Sequence, residues 1–154
     1  MTLWGNDPSV REALLRAGWS EGRRIDISRW VEMLGSVGYD PHPLALRIWT
    51  EFGGLTILSV QDREPASSLH VDPVDACVDS FEESVRIGGR YGEDFSPLGM
   101  WSVQFRSYMS ASGKVVAVTV GTIWELGTSF SEALDYVVKG DGGESRAQSV
   151  DWLT

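Results

Sequence analysis

The sequence predicts an α+β fold with N-terminal helices, a mostly antiparallel central sheet and a C-terminal helix. Two patterns carry this. Apolar residues recur at helical spacing through the first fifty positions and again from Phe130. Between Ser96 and Leu126 they alternate or run continuously, as strands do. With 154 residues, 42% of them hydrophobic, and seven tryptophans, the chain is long enough to bury a core. One domain over residues 1–140 and a polar tail over 141–154, mobile up to Trp152, are expected.

Each element has its own signal. Asp7 can cap a first helix and Pro8 suits its first position. Val10, Leu14, Leu15 and Ala17 then form its apolar stripe, and Gly18 ends it. A second helix opens at Asp26, with Ile27, Trp30, Val31 and Leu34 on one face and Gly35 and Gly38 closing. Pro43 opens a third. Ala45, Ile48, Trp49 and Phe52 repeat the same spacing, Gly53 stands where a left-handed C-terminal cap belongs, and Gly54 lets the chain reverse. Residues 55–60 read as a strand and 61–72, with Pro65 and two serines, as a loop.

Asp72-Pro73 starts a fourth helix, with Val74, Cys77, Val78, Phe81 and Val85 inward. Asp75, Asp79, Glu82 and Arg86 face water, and Gly88-Gly89 terminates it. Residues 96–110 alternate as one half-buried strand, with Trp101, Val103 and Phe105 on one side and Ser102, Gln104, Arg106 and Tyr108 on the other. After a turn at SASGK, VVAVTV has the unbroken apolar character of a strand covered on both faces, and TIWEL follows as another. Ser129 and Glu132 have the spacing of a reciprocal capping box, opening a last helix on Phe130, Ala133, Leu134 and Val137.

Little in the sequence points to chemistry. Gly53-Gly54 is no phosphate loop, because no lysine follows and the glycines come after a helix rather than before one. His42, His70 and Cys77 do not fall at metal-ligand spacings, so neither metal nor cofactor is expected. His42, between two prolines, reads as a helix cap. Cys77 lies on an apolar helix face and reads as a buried, inert thiol. Glu82-Glu83 and Glu93-Asp94 are carboxylate pairs, but neighbours on a helix point about 100° apart, so Glu82 and Glu83 would not share one site. No catalytic constellation emerges. Trp30 and Trp49 read as core. Trp101 and Trp124, on strands, read either as core or as aromatic anchors for a partner.

The net charge is −9, and residues 59–100 hold nine acids against three arginines. Such a surface repels nucleic acid and anionic membrane, and it attracts a basic protein. It also serves simply to keep a protein soluble. One cysteine, no apolar run of membrane length and no basic-then-apolar N-terminus point to the cytoplasm.

Read in order, LLRAGWSEGRRIDISRWVEML, HPLALRIWTEFGGLTI, HVDP, FSPLGMW and SGKVVAVTVGTIWELGTSFSEALDYVVKG resemble the SUKH superfamily. Specifically, they resemble its third immunity-protein subfamily, from bacterial polymorphic toxin systems. The resemblance runs from about Leu14 to Gly140. It implies an α+β fold in which Gly18, Trp19, Phe52, Gly53, Gly54, Asp72, Pro73, Pro97, Leu98, Gly99 and Gly127 are fold determinants. It implies no catalysis; the partner it implies is a cognate toxin, often a nuclease or deaminase. It places no binding surface. The acidic middle supplies one candidate, Asp75, Asp79, Glu82, Glu83, Glu93 and Asp94, suited to a basic toxin. A constitutive adaptor without a toxin partner, or a small-molecule binder or enzyme, remains an alternative, and the oligomeric state is not legible.

Overall fold

The computed structural model describes residues 2–140 and 146–150. Within them the chain forms α1 (Pro8–Ala17), α2 (Ser28–Ser36), α3 (Pro43–Phe52), β1 (Thr56–Leu58), β2 (Ser68–Val71), α4 (Pro73–Cys77) and α5 (Phe81–Tyr91). There follow β3 (Phe95–Trp101), β4 (Phe105–Ser110), β5 (Val115–Thr119), β6 (Thr122–Gly127), α6 (Phe130–Lys139) and β7 (Ala147–Ser149). The strands form one antiparallel sheet in the order β1 to β7, so every strand pairs with its sequence neighbours. The fold is α+β, with N-terminal helices, this sheet and a C-terminal helix.

Strand alternation sends side chains into two cores. Val115 and Ala117 of β5 join Ile57, Leu69, Trp101 and Met109 beneath α1, α3 and α6. Val116 and Val118 join Tyr108, Ile123 and Phe95 on the other face, beneath Ile87 of α5 and Cys77 of α4. The continuous VVAVTV run is therefore buried on both sides, as its composition requires.

Four of the six described helices start on a side-chain cap, and α2 and α5 do not. Asp7 accepts from the amides of Ser9 and Val10, and Asp72 from those of Val74 and Asp75. His42 Nδ1 accepts from the Ala45 amide at 3.1 Å while Nε2 donates to the Met109 carbonyl at 2.9 Å, which fixes its tautomer and ties α3 to β4. Ser129 caps α6 through the Glu132 amide, but the return bond departs from a reciprocal box. The Glu132 carboxylate accepts from the Thr128 amide and hydroxyl, one residue earlier, and these bonds lower its pKa.

Several elements differ from the sequence reading. The left-handed residue after α3 is Gly54, with φ +81°, whereas Gly53 has φ −55°. Gly53 is required for space instead. A Cβ there would lie 2.6 Å from the Trp30 ring and 2.7 Å from Ile25, and closer still to the Trp49 carbonyl. Arg23 seals the same end, donating to the carbonyls of Glu51 at 2.7 Å and Gly53 at 2.9 Å. Trp19 Nε1 donates to the Glu51 carboxylate at 2.9 Å.

Residues 68–71, expected within a loop, form β2, and its alternation buries Leu69 and Val71. Residues 96–110 are not one strand. They form a hairpin whose turn holds Ser102 at φ 50° and Val103 at φ 70°. Gly99 lets β3 pass against β2, since a Cβ would fall onto the His70 carbonyl and 2.8 Å from the Asp72 amide. Leu15, placed in the stripe of α1, is exposed. In the segment read as tail, 147–149 pair with β6 as β7. Residues 141–145 and Trp152 lie outside those described.

The expected fourth helix is two. α4 ends at Cys77, and α5 starts anew at Phe81 and continues past Gly88-Gly89 to Tyr91, capped by left-handed Gly92. The break turns Phe81 and Val85 outward, and Ser84 and Ile87 become the buried face of α5.

Candidate partner-binding surface

The six acidic residues singled out in the sequence divide between the two ends of α5. Asp75 is on α4, Asp79 in the α4–α5 connection and Glu82 on the first turn of α5, all exposed. Glu93 and Asp94 follow the Gly92 cap. At 1.5 Å per residue, the 11-residue helix separates the two groups by about 16 Å.

Glu83 behaves differently from the rest. Its side chain is only 15% exposed, and its oxygens accept from Arg106 Nε at 2.8 Å and Nη2 at 2.7 Å. The Tyr108 hydroxyl lies within hydrogen-bond distance of both Glu83, at 2.7 Å, and Ser80, at 2.6 Å. Ser80 in turn donates to the Cys77 carbonyl at 2.7 Å. The Glu83 hydrogen bonds raise the pKa of Arg106, and burial foremost raises that of Tyr108. Glu83 thus knits α5 to β4. Asp79, Glu82, Glu83 and Arg106 line a shallow depression of about 450 Å³.

At the other end the Glu93 carboxylate accepts from the Ser112 amide at 3.0 Å, linking the α5–β3 connection to the β4–β5 turn. Hydrogen bonding by Ser112 holds its pKa below the ordinary carboxylate value. Asp94 remains exposed, and its carbonyl accepts from Ala111. Between this pair and Phe81 runs a second, larger groove of about 670 Å³, walled by α5 and by residues 38–40. Sequence reasoning missed it, having assigned Phe81 and Val85 to the core.

The remaining candidates fall into structural roles. Cys77 is fully buried and its thiol is pushed up to about 12, chiefly by desolvation. Trp49 is buried, its Nε1 donating to the Pro97 carbonyl at 3.0 Å, and Trp30 packs partly buried against the same core. Trp101 is 6% exposed and donates to Ser67 Oγ at 2.8 Å. It stacks in one aromatic group with Phe105, Trp124 and Tyr136, the Trp124 ring centre 5.5 Å away. His70 meets Thr56 at 2.8 Å. Among the described residues no three His, Cys, Asp or Glu side chains are grouped to hold a metal ion, and no helix is long and apolar enough to cross a membrane.

This architecture and the order of its landmarks agree with one family. Neither curated proteins nor solved structures give a match to the chain. The family model of the SUKH-3 immunity proteins does, over residues 6–140, well over half of the sequence, and the chain therefore belongs to the SUKH-3 immunity protein family.

Proposed function

We propose that the chain protects a bacterial cell by binding a cognate protein toxin and covering its active or substrate-binding surface, without catalysis of its own. The family supports toxin immunity. The observation that carries the electrostatic part is the concentration of carboxylates about α5. Asp75, Asp79, Glu82, Glu93 and Asp94 stand at its two ends, on a chain of net charge −9. A toxin that acts on nucleic acid needs a cationic cleft to hold phosphates. Carboxylates can occupy such a cleft through charge-assisted hydrogen bonds, and long-range attraction speeds the encounter. Glu83, already held by Arg106, supports this surface from behind. The toxin is encountered in the cytoplasm.

The test is co-expression with the toxin domain encoded beside this gene. Growth arrested by the toxin alone is restored by the chain, and the two proteins purify together. Persistent arrest with no complex contradicts the reading and favours an adaptor with some other partner.

A further inference from the structure

Along α5 runs a stripe that neither the core nor the caps account for. Phe81 and Val85, one turn apart, are 36% and 56% exposed. Gly89 continues the line a turn further on. A glycine inside a helix is less stable than alanine there, so its presence asks for a reason. At Gly88 the reason is steric, because a Cβ would lie 2.7 Å from the Glu93 carbonyl. At Gly89 nothing stands within 4 Å of where a Cβ would be. The opening above it is part of the groove of about 670 Å³ whose opposite wall is Gly38, Tyr39 and Asp40. Tyr39 holds Phe81 edge-on with ring centres 5.1 Å apart, so the floor is formed before anything binds.

Carboxylates bracket this floor. Asp40, Glu93 and Asp94 line the groove itself, and Asp79 and Glu82 line the neighbouring depression at the first turn of α5. A second copy of the chain would bring its own net charge of −9 onto this acidic rim. The rim fits an occupant of the opposite sign, and the floor fits one with an apolar middle.

We propose that this groove receives one segment of the toxin, about 16 Å long, with apolar residues over Phe81 and Val85 and its backbone close over Gly89. Lysine or arginine side chains at both ends meet the two carboxylate groups. The inference rests on the toxin-neutralisation reading and says where on the surface it happens.

The test titrates the isotope-labelled chain with the catalytically inactivated toxin domain encoded beside its gene, following backbone amide shifts. Affinity is then measured for Gly89→Gln, Val85→Ser and Val120→Ser. Glutamine is a good helix former and Val85 is exposed, so both groove variants should melt no lower than the parent. Shifts are expected to concentrate on residues 38–40 and 81–94. Gly89→Gln and Val85→Ser should each weaken binding about tenfold or more, and Val120→Ser, in the β5–β6 turn, should leave it unchanged. Shifts elsewhere, with the groove variants at full affinity, overturn the groove and leave toxin neutralisation standing. No binding by the parent chain, together with unrescued growth, overturns the toxin reading and the groove with it.

Discussion

The Glu83 carboxylate and the Arg106 guanidinium meet through two hydrogen bonds, 2.8 and 2.7 Å long, that fasten α5 to the sheet. Removing the carboxylate strands the guanidinium and takes one partner from the buried Tyr108 hydroxyl. Because the Arg106 side chain is 37% exposed, water compensates part of the loss, and Glu83→Ala should cost about 2 kcal/mol. Glu82→Ala, next door and exposed, should change stability by no more than about 0.5 kcal/mol. Urea denaturation of the two variants measures the difference; coincident midpoints would show that the pair does not hold α5.

The two glycines after α3 serve different needs, and alanine separates them. At Gly53 the new Cβ meets Trp30, Ile25 and backbone, so Gly53→Ala should cost about 3 kcal/mol or more. At Gly54 there is open space but φ is +81°, so Gly54→Ala should cost only about 1 kcal/mol. Denaturation midpoints in the reverse order would mean that the close packing at Gly53 is wrong.

Cys77 should be inert while the protein is folded. It is fully buried and its thiol is pushed up to about 12, so at pH 8 almost no thiolate is present or reachable. Labelling by an aromatic disulfide reagent should proceed only through opening of the fold, slowly in buffer and rapidly in urea. Fast reaction in buffer alone would place Cys77 at the surface.

Acid should loosen the joint between α1 and α6. Lys139 donates to Asp7 and is the main cause lowering the Asp7 pKa from its ordinary 3.8. A carboxyl whose folded pKa is depressed stabilises the fold above its unfolded value, and that contribution is lost as pH falls through the folded one. Glu93 and Glu132, lowered from 4.5, act in the same direction, whereas Asp135, raised by burial, opposes them. The Tm should therefore decline below about pH 4.5. Asp7→Asn keeps an N-cap but removes the charge, so its Tm should lie below that of the parent at pH 7 and converge on it at low pH. A constant gap across the titration would remove the ion pair from the account.

Much of the fold was legible because local chemistry and tertiary structure agree. Asp7-Pro8, His42-Pro43, Asp72-Pro73 and Ser129 each open the helix that their backbone needs imply. The β3–β4 hairpin was hidden because its turn is Ser-Val-Gln, without the glycine, asparagine or aspartate that usually marks positive φ. β2 was hidden by its four-residue length inside a polar stretch. The break between α4 and α5 was masked by periodicity. Cys77, Phe81 and Val85 keep a four-residue spacing across it, so apolar residues facing a groove looked like core. A contrary signal was present in Ser80 and Glu83, three apart as at a helix start. In the fold both side chains turn to Cys77, Tyr108 and Arg106 instead. Charge was legible from composition, but its division between the ends of α5 needed the helix boundaries.

Association kinetics measure whether the acidic residues about α5 draw in a basic toxin. The rate constant for the inactivated toxin domain would be followed from low to physiological salt, for the parent and for the Asp79→Lys, Glu82→Lys double variant. Both positions are exposed, so the fold should persist. The double variant should associate at least about tenfold more slowly at low salt, with a clearly flatter salt dependence. An on-rate and salt dependence equal to those of the parent would contradict this attraction.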